Sequence, residues 1–395
     1  MIMRIVALAP FGLRPKATLS RRALPMLQAA ATRGDDVHVL APSDLYPADA
    51  GSTSVIKQIT VEHGPAFGQG SAAMLRSVSW MLKRCLALQP DLVHLFKPKG
   101  YGGMALPLIR RLRPKLPIFV DTDDWEGTGG WNDRLDYPRH IKMMIDWQER
   151  NLPKLADCVT VASQTLANQV ILFGLPTNKL LYLPNGVDLP RRQLPERSLA
   201  RAQLGLTQDP IILLYSRFWE FPVSDVVAMM VGVLAQIPTA KLLVIGAGEH
   251  GEEQQLTLLA QRAGINQALD NRGWSEQSTI DAALAAADIA LYPMDDTLLN
   301  RAKCSAKLTE QMQAGLPIVA AAVGQVAEYL DQTSAVLVEP SNSGALAQAV
   351  IQLLQQPQQR QSLGRVAQAR IEKLFNWPAQ SQTLLQRYDA CYKAQ

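Results

Sequence analysis

Short runs of β-branched and apolar residues alternate with amphipathic stretches along the whole chain, the pattern of repeated βαβ units built on parallel sheets. In the first half these runs fall at residues 4–8, 36–40, 92–96, 118–121, 158–162 and 180–183. A second series occupies 211–215, 241–245, 289–292, 318–321 and 335–338. Between the two series lies Pro184-Asn-Gly-Val-Asp-Leu-Pro190, followed by a polar, Arg-rich stretch. That composition forms turns and marks a junction. The pattern therefore predicts an α/β chain of two open Rossmann-like domains, 1–188 and 189–375. After Phe375-Asn-Trp-Pro378, the spacing of Leu384, Leu385, Tyr388 and Cys391 predicts a further amphipathic helix. Doubly wound domains hold ligands at the carboxyl ends of their strands, so two facing domains would share a cleft and the chemistry belongs in the loops that follow strands.

Composition supports this division. The chain has 395 residues, 48% of them apolar, which is enough for a core in each domain. Its 39 Lys and Arg against 35 Asp and Glu give +4, far from the basic excess of a dedicated nucleic-acid binder. Divided at the junction, residues 1–188 carry 22 basic and 16 acidic side chains, and the remainder 17 and 19. The first domain is thus the basic one, suited to meeting an acceptor. Cys85, Cys158, Cys304 and Cys391 are too widely spaced for a zinc or thioredoxin motif and are read as reduced thiols. The opening residues resemble a strand more than a signal peptide, and no run reaches the ~18 apolar residues of a membrane span. A cytoplasmic protein is expected, with attachment to a membrane surface left open.

Several loops carry candidate chemistry. Gly246-Ala-Gly248-Glu-His-Gly251 follows a strand and satisfies the G-x-G-x-x-G dinucleotide pattern. An acidic residue about 20 positions on, at the end of the next strand, should then hold the ribose, but Ile265-Asn266 reads as a turn. A tight turn approaching some other phosphate-bearing ligand is the preferred reading. Asp121-Thr-Asp123-Asp124-Trp-Glu126 gathers four carboxylates after a strand. Such a cluster serves as a metal chelate, as a turn cap, or as a group of cleft residues, and the two-domain architecture disfavours the metal. For Asp121 the cap remains open; Asp123 and Asp124, beside a Gly-rich, Trp-containing loop, are read as cleft residues.

The segment from Tyr292 to Pro317 is the most informative. A strand ends, a polar loop follows with Asp295, Asp296, Asn300, Arg301 and Lys303, and a helix opens with Ser305 and Lys307. A helix start offers free N–H groups and a positive dipole end to a pyrophosphate, and the three cations stand beside it. Glu310, about one turn further, is placed to accept ribose hydroxyls. Earlier, Ser216-Arg217-Phe218 closes a strand with an Arg suited to bidentate phosphate contact.

Together, Pro10-Phe-Gly12, Pro184-Asn-Gly-Val-Asp188, Ser216-Arg217-Phe218, Val244-Ile-Gly-Ala-Gly248, Arg272-Gly-Trp274 and Ser305 through Pro317 resemble the GT-B glycosyltransferases of family four, a retaining group that uses nucleotide-activated sugars. The resemblance spans nearly the whole chain and implies that the final helix, 376–395, returns to the first domain. It implies that Arg217 and Lys307 face the donor diphosphate, that Glu310 takes the ribose, and that the backbone from Arg272 to Trp274 takes a base such as that of UDP. Gly12, Gly246, Ser305 and Leu308 join this donor-facing set. No cofactor or metal is implied, the nucleotide-sugar being a substrate. The sequence departs from the family where Ala302 replaces a Glu, Pro222 a Lys and Asp123 a His. Asp295, Asp296 and Asn300 are then the candidates for the sugar hydroxyls, and Lys303 or Arg301 for the missing cation. With retention described in this family as front-side attack, Asp123 and Asp124 are the catalytic candidates.

On the acceptor side stand His94, Lys97, Tyr101, Trp125 and Glu126, with His94 read first as a core residue and second as a site residue. The acceptor is a glycan, lipid or small molecule. Arg14, Lys16, Arg21 and Arg22, together with Arg110, Arg111, Arg113 and Lys115 beside Leu106, Leu108 and Leu112, suggest contact with an anionic membrane as one reading and a solvated face as the other. A sugar-nucleotide epimerase and a catalytically silent binding scaffold remain the rival functions.

Overall fold

The computed structural model describes residues 2–14 and 18–394, so Lys16 lies outside the described residues. The chain divides into two compact units. One comprises Met1–Asn185, Ala302–Cys304 and Trp377–Gln395, and the other Gly186–Arg301 and Ser305–Asn376.

The first unit is built on eight strands: β1 (Arg4–Leu8), β2 (Asp36–Ala41), β3 (Thr53–Ile56), β4 (Ile59–His63), β5 (Leu92–Phe96), β6 (Ile118–Thr122), β7 (Cys158–Val161) and β8 (Leu180–Tyr182). Their order is β3-β4-β2-β1-β5-β6-β7-β8, parallel throughout except for the β3/β4 hairpin. β5 and β6 are buried along their whole length, as expected of strands covered on both faces. The hairpin escapes the sequence pattern because its turn residues, Lys57 and Gln58, adopt positive φ (48° and 69°) without the Gly or Asn that normally signals such a turn. Helices α1 (Leu24–Arg33), α2 (Gly100–Leu112), α3 (Arg139–Asn151) and α4 (Gln164–Leu172) also belong to this unit.

The second unit has six parallel strands, β9 (Ile211–Tyr215), β10 (Lys241–Ile245), β11 (Leu269–Asn271), β12 (Ile289–Tyr292), β13 (Ile318–Ala321) and β14 (Val336–Val338). The order β11-β10-β9-β12-β13-β14 is that of a doubly wound sheet whose strand order reverses between β9 and β12. In the first unit the reversal falls between β1 and β5. Buried Ile212, Leu214, Leu242, Val244 and Leu291 form the heart of the second core. Truncating one such side chain to Ala costs about 2–5 kcal/mol. Two helices of this unit bear on the site, α5 (Glu252–Arg262) and α6 (Ala306–Gln313).

The last helix, α7 (Trp377–Lys393), belongs to the first unit. Its Leu384, Leu385 and Tyr388 enter the same core as α1, and Arg33 holds Asp389 with two hydrogen bonds of 2.7 and 2.8 Å. No helix among the described residues is long and apolar enough to cross a membrane. Two residues expected on a lipid-facing surface are interior: Leu106 is fully buried, and Arg22 is locked in a buried ion pair.

Candidate functional site

In the first unit the carboxylate loop after β6 meets the loop after β5. Phe96 pairs in register with Asp121, and the Lys97 amide donates to the Asp121 carbonyl, so the two strand ends finish side by side. Lys97 adopts a left-handed backbone (φ 59°) that turns its side chain inward. Its buried Nζ lies 3.1 Å from Asp123, 3.2 Å from Asp124 and 2.9 Å from Glu126, while Lys99 holds the other Glu126 oxygen at 2.6 Å. The carboxylates are thus neutralised by ammonium groups of the chain itself. Among the described residues, no group of three or more His, Cys, Asp or Glu is arranged to hold a metal ion.

The charges are sharply differentiated. Glu126 has a pKa of about 2, because the attraction of Lys97 and Lys99 outweighs burial. Burial raises Asp124 despite the pull of Lys97 and Lys303. Behind them, buried Glu149 is raised well above the carboxylate range by desolvation and by Glu126. One carboxylate is held firmly ionised, while burial makes the other two easier to protonate.

Asp121 has a separate role. It accepts from Arg22 Nε and Nη2 at 2.7 and 2.6 Å and from the Thr160 hydroxyl at 2.5 Å. Arg22 sits in a five-residue π-helical turn, Leu19–Ala23, and also donates to the Leu183 carbonyl and to Asn185. Asp121 is therefore neither a metal ligand nor a simple turn cap but a buried anchor of the fold.

Two acceptor-side expectations are corrected. His94 is fully buried, hydrogen-bonded through Nδ1 to the Tyr388 hydroxyl and stacked on Phe96. Burial, with Arg22 nearby, lowers its pKa to about 3, so it is a neutral core histidine. Trp125 is also interior: its indole N–H donates to the Thr128 carbonyl and its ring stacks on Phe173, propping the loop from within. Tyr101 lies in the first turn of α2, half-buried, and burial together with nearby Asp44 pushes its phenol above the ordinary value. Gly12 follows β1, where an added Cβ would sit 3.1 Å from the His63 ring and the Pro42 carbonyl.

In the second unit the expected donor residues gather after β9, β10 and β12. Arg217, half-exposed, reaches from the end of β9 to Glu249 in the loop after β10 (2.8 Å), and Trp219 meets His250 edge-on across the same two loops. Lys307 lies 5.2 Å over the ring of Tyr215, the last residue of β9. Ser305 is the N-cap of α6, but its side chain makes no capping hydrogen bond. Leu308 is buried beneath. Glu310 is half-buried on the α6 face shared with Gln313 and Ala314, beside Arg192 and Leu194.

Several other donor expectations change. The Gly-rich loop is closed by its own helix: the Gly248 and His250 amides donate to Glu253 and Glu252 in the first turn of α5 (2.8 and 2.9 Å). An anion would have to displace both carboxylates, so this loop is no phosphate cradle. Gly246 is required for packing, since its φ of 116° and a Cβ that would fall 1.9 Å from the Ser216 carbonyl leave no room for a side chain. The stretch after Asn266 becomes β11, but its Asp270 is paired with Arg272, and Arg272 also bonds the Leu204 carbonyl. The Arg272 guanidinium is therefore committed to the scaffold, while Trp274 is 76% exposed. Asn300 donates its amide to the Glu220 and Asp295 carbonyls, a bracing role that takes it away from a sugar. Asp295 accepts from Ser341 at 2.8 Å, and Asp296 forms an exposed ion pair with Arg301. Lys303 belongs to the first unit, where its charge acts on Asp124. Its segment is held there by Ser163 donating to the Ala302 carbonyl (2.9 Å) and Asn185 donating to the Cys304 carbonyl (2.7 Å).

Sequence reasoning missed three supports. Gln148 clamps both the N–H and the C=O of Gly100 (3.1 and 3.2 Å), Glu220 joins the loops after β9 and β12, and Glu149 backs the carboxylate cluster. For Gln148 and Glu149 the only signal was polarity at helix positions that should be apolar, whereas Glu220 acts through its backbone carbonyl, which no side-chain pattern records.

Comparison with known proteins agrees with this architecture. Residues 18–186 match the family described as glycosyl transferase 4-like domain, and residues 209–356 the family described as glycosyl transferases group 1. The chain is 29% identical over 253 residues to a GDP-mannose-dependent monoacylated alpha-(1-6)-phosphatidylinositol monomannoside mannosyltransferase of Corynebacterium glutamicum, covering 61% of this chain and 65% of the relative. It is 26% identical to a D-inositol 3-phosphate glycosyltransferase of Segniliparus rotundus, covering 65% and 57%. The chain thus matches somewhat less than two thirds of the length of these curated relatives. Sucrose-phosphate synthase from Thermosynechococcus elongatus, 20% identical, superposes over 99% of this chain and 100% of its own with a TM-score of 0.78. With a 4-like domain on the first sheet, a group 1 domain on the second and the GT-B fold throughout, the chain belongs to the glycosyltransferases.

Proposed function

We propose that the chain transfers a sugar from a nucleotide-sugar donor to an acceptor hydroxyl, with retention at the anomeric carbon. The observation that carries this reading is the cationic loop cluster of the second unit. Arg217 and Lys307 both flank the end of β9, and the amides opening α6 are not capped by Ser305. Two cations and a helix N-terminus suit a leaving nucleoside diphosphate, whose charge grows as the glycosidic bond to phosphate breaks. The same cations supply that neutralisation without a metal, so turnover is expected to persist in EDTA.

The carboxylate cluster of the first unit serves the acceptor on this reading. Asp123 and Asp124 orient the hydroxyl and offset positive charge at the anomeric carbon, while Lys97 fixes both. The relatives named above include a mannosyltransferase whose name gives GDP-mannose as donor and a phosphatidylinositol mannoside as acceptor. A polar, hydroxyl-rich acceptor and work at a membrane surface are accordingly part of the proposal.

The test is incubation of the purified chain with a panel of UDP- and GDP-sugars and hydroxyl acceptors, following nucleoside diphosphate release and the product anomer by NMR. Transfer with retention supports the proposal. Inversion, epimerised donor, or donor binding without any turnover each overturns it, the last two in favour of an epimerase or a binding scaffold.

A further inference from the structure

We propose that the outer face of α3 is a docking surface for anionic lipid. α3 buries Ile145, Gln148 and Glu149 against the first unit and turns the opposite side to solvent. On that side Met143 and Trp147, four residues apart and so neighbours on one helical face, are 63% and 52% exposed. One turn beyond Trp147, the Arg150 guanidinium lies 5.0 Å from the centroid of the Phe173 ring. This contact brings the end of α4 against α3, and there Ile171 and Leu172 are 38% and 81% exposed. Large apolar side chains exposed singly are ordinary on a soluble protein, whereas a Trp and a Met on one helical face, with two more apolar residues at the adjoining helix end, mark an interaction site.

The charges around the patch select the partner. Arg134, Arg139, Lys142, Arg150 and Lys154 belong to this stretch, and its carboxylates are Asp133, Asp136, Asp146 and Glu149. Glu149 is buried, and Asp146 is occupied by the Thr128 amide and by Arg150. With Arg150 and Asp146 cancelling and Asp133 and Asp136 set against Arg134, the cations Arg139, Lys142 and Lys154 leave the face of α3 net positive. Trp and Met inserted at the level of the headgroups, with Arg and Lys on the flanks, match an anionic bilayer surface in both polarity and charge. This surface is distinct from the basic residues that the sequence singled out, of which Arg22 is buried and Arg110 is tied to Asp157 and to the Pro114, Leu116 and Leu155 carbonyls. The inference rests on the membrane-surface part of the proposed function and is independent of its donor chemistry.

The experiment is co-sedimentation of the full chain with vesicles of phosphatidylcholine alone or mixed with phosphatidylglycerol, at low and high salt. The chain is expected to pellet with the mixed vesicles at low salt and to stay largely in solution with phosphatidylcholine alone. Met143→Ser with Trp147→Ser should lower the bound fraction about tenfold, with an unchanged circular dichroism spectrum, because both side chains are exposed and replacing them disturbs no core. Arg139→Glu with Lys142→Glu should abolish the salt-sensitive part. The proposal is overturned if the wild-type chain does not pellet, if the Met143/Trp147 variant pellets like wild type, or if gel filtration reveals a dimer that this variant dissolves, which would assign the face to a second copy of the chain.

Discussion

The two units put the same kind of side chain to opposite uses. In the first, Lys97 and Lys99 are buried and spend their charge on Asp123, Asp124 and Glu126. In the second, Arg217 is half-exposed with an exchangeable partner in Glu249, and Lys307 rests on an aromatic ring. Breaking a buried ion network leaves uncompensated charge in a poor solvent, whereas removing an exposed cation leaves a solvated loop. The first unit therefore couples its candidate chemistry to its stability, and the second keeps the two separable.

The sharpest way to break this contrast is Lys97→Met. Removing the shared ammonium should lower the stability of the first unit by about 3–5 kcal/mol, read as an earlier transition in thermal or urea unfolding, and the contrast fails if unfolding is unchanged. Arg217→Ala and Lys307→Ala should do the reverse. Each lowers turnover about 100- to 1,000-fold on the proposed mechanism, while the unfolding midpoint stays near wild type. A large stability loss in either would erase the distinction.

Within the cluster, Asp123→Asn and Asp124→Asn separate function from support. About a 100-fold fall in turnover is expected for each, and unchanged rates in both would remove the carboxylates from the mechanism. Acid titration then distinguishes the buried groups more finely. His94 has a folded pKa of about 3, below its ordinary 6.5, so the unfolded chain binds its proton first and stability falls as pH drops from 6.5 towards 3. Glu126, at about 2, adds a loss between pH 4.5 and 2. Each contributes up to about 1.4 kcal/mol per pH unit in its window. His94→Phe should lessen the fall in stability between pH 6.5 and 4.5, where Glu126 is not yet titrating.

How much of this was legible beforehand depends on the range of the interaction. β1, β5, β9, β10, β12 and β13 begin and end where their apolar runs do, because a buried parallel strand writes its limits as a change from apolar to turn-forming residues. β11 was missed because only Leu269 of its three residues, Leu269-Asp-Asn271, is apolar, whereas the equally short β8 and β14 are apolar throughout. The loops that matter were also visible, since a doubly wound sheet delivers its ligands to strand ends. What could not be read was the pairing across them. Asp121 and Asp123 differ by two positions, yet one is bonded to Arg22, 99 residues away, and the other to Lys97. The G-x-G-x-x-G loop was legible as a motif but not as one already filled by Glu252 and Glu253, because the pattern records glycines and not what their amides bind.

Lys97 must satisfy two requirements that seldom coincide. Its positive φ is a conformation that Gly or Asn adopts more readily, yet the three carboxylates around its Nζ demand a long cationic side chain. Lys97→Gly would relax the backbone and lose the charge, whereas Lys97→Arg would keep the charge but bring a broader head into a space shaped for an ammonium. No single substitution meets both needs. The position is therefore a dead end for gradual change: drift there requires the carboxylate loop to change with it, and the two loops should vary together or not at all.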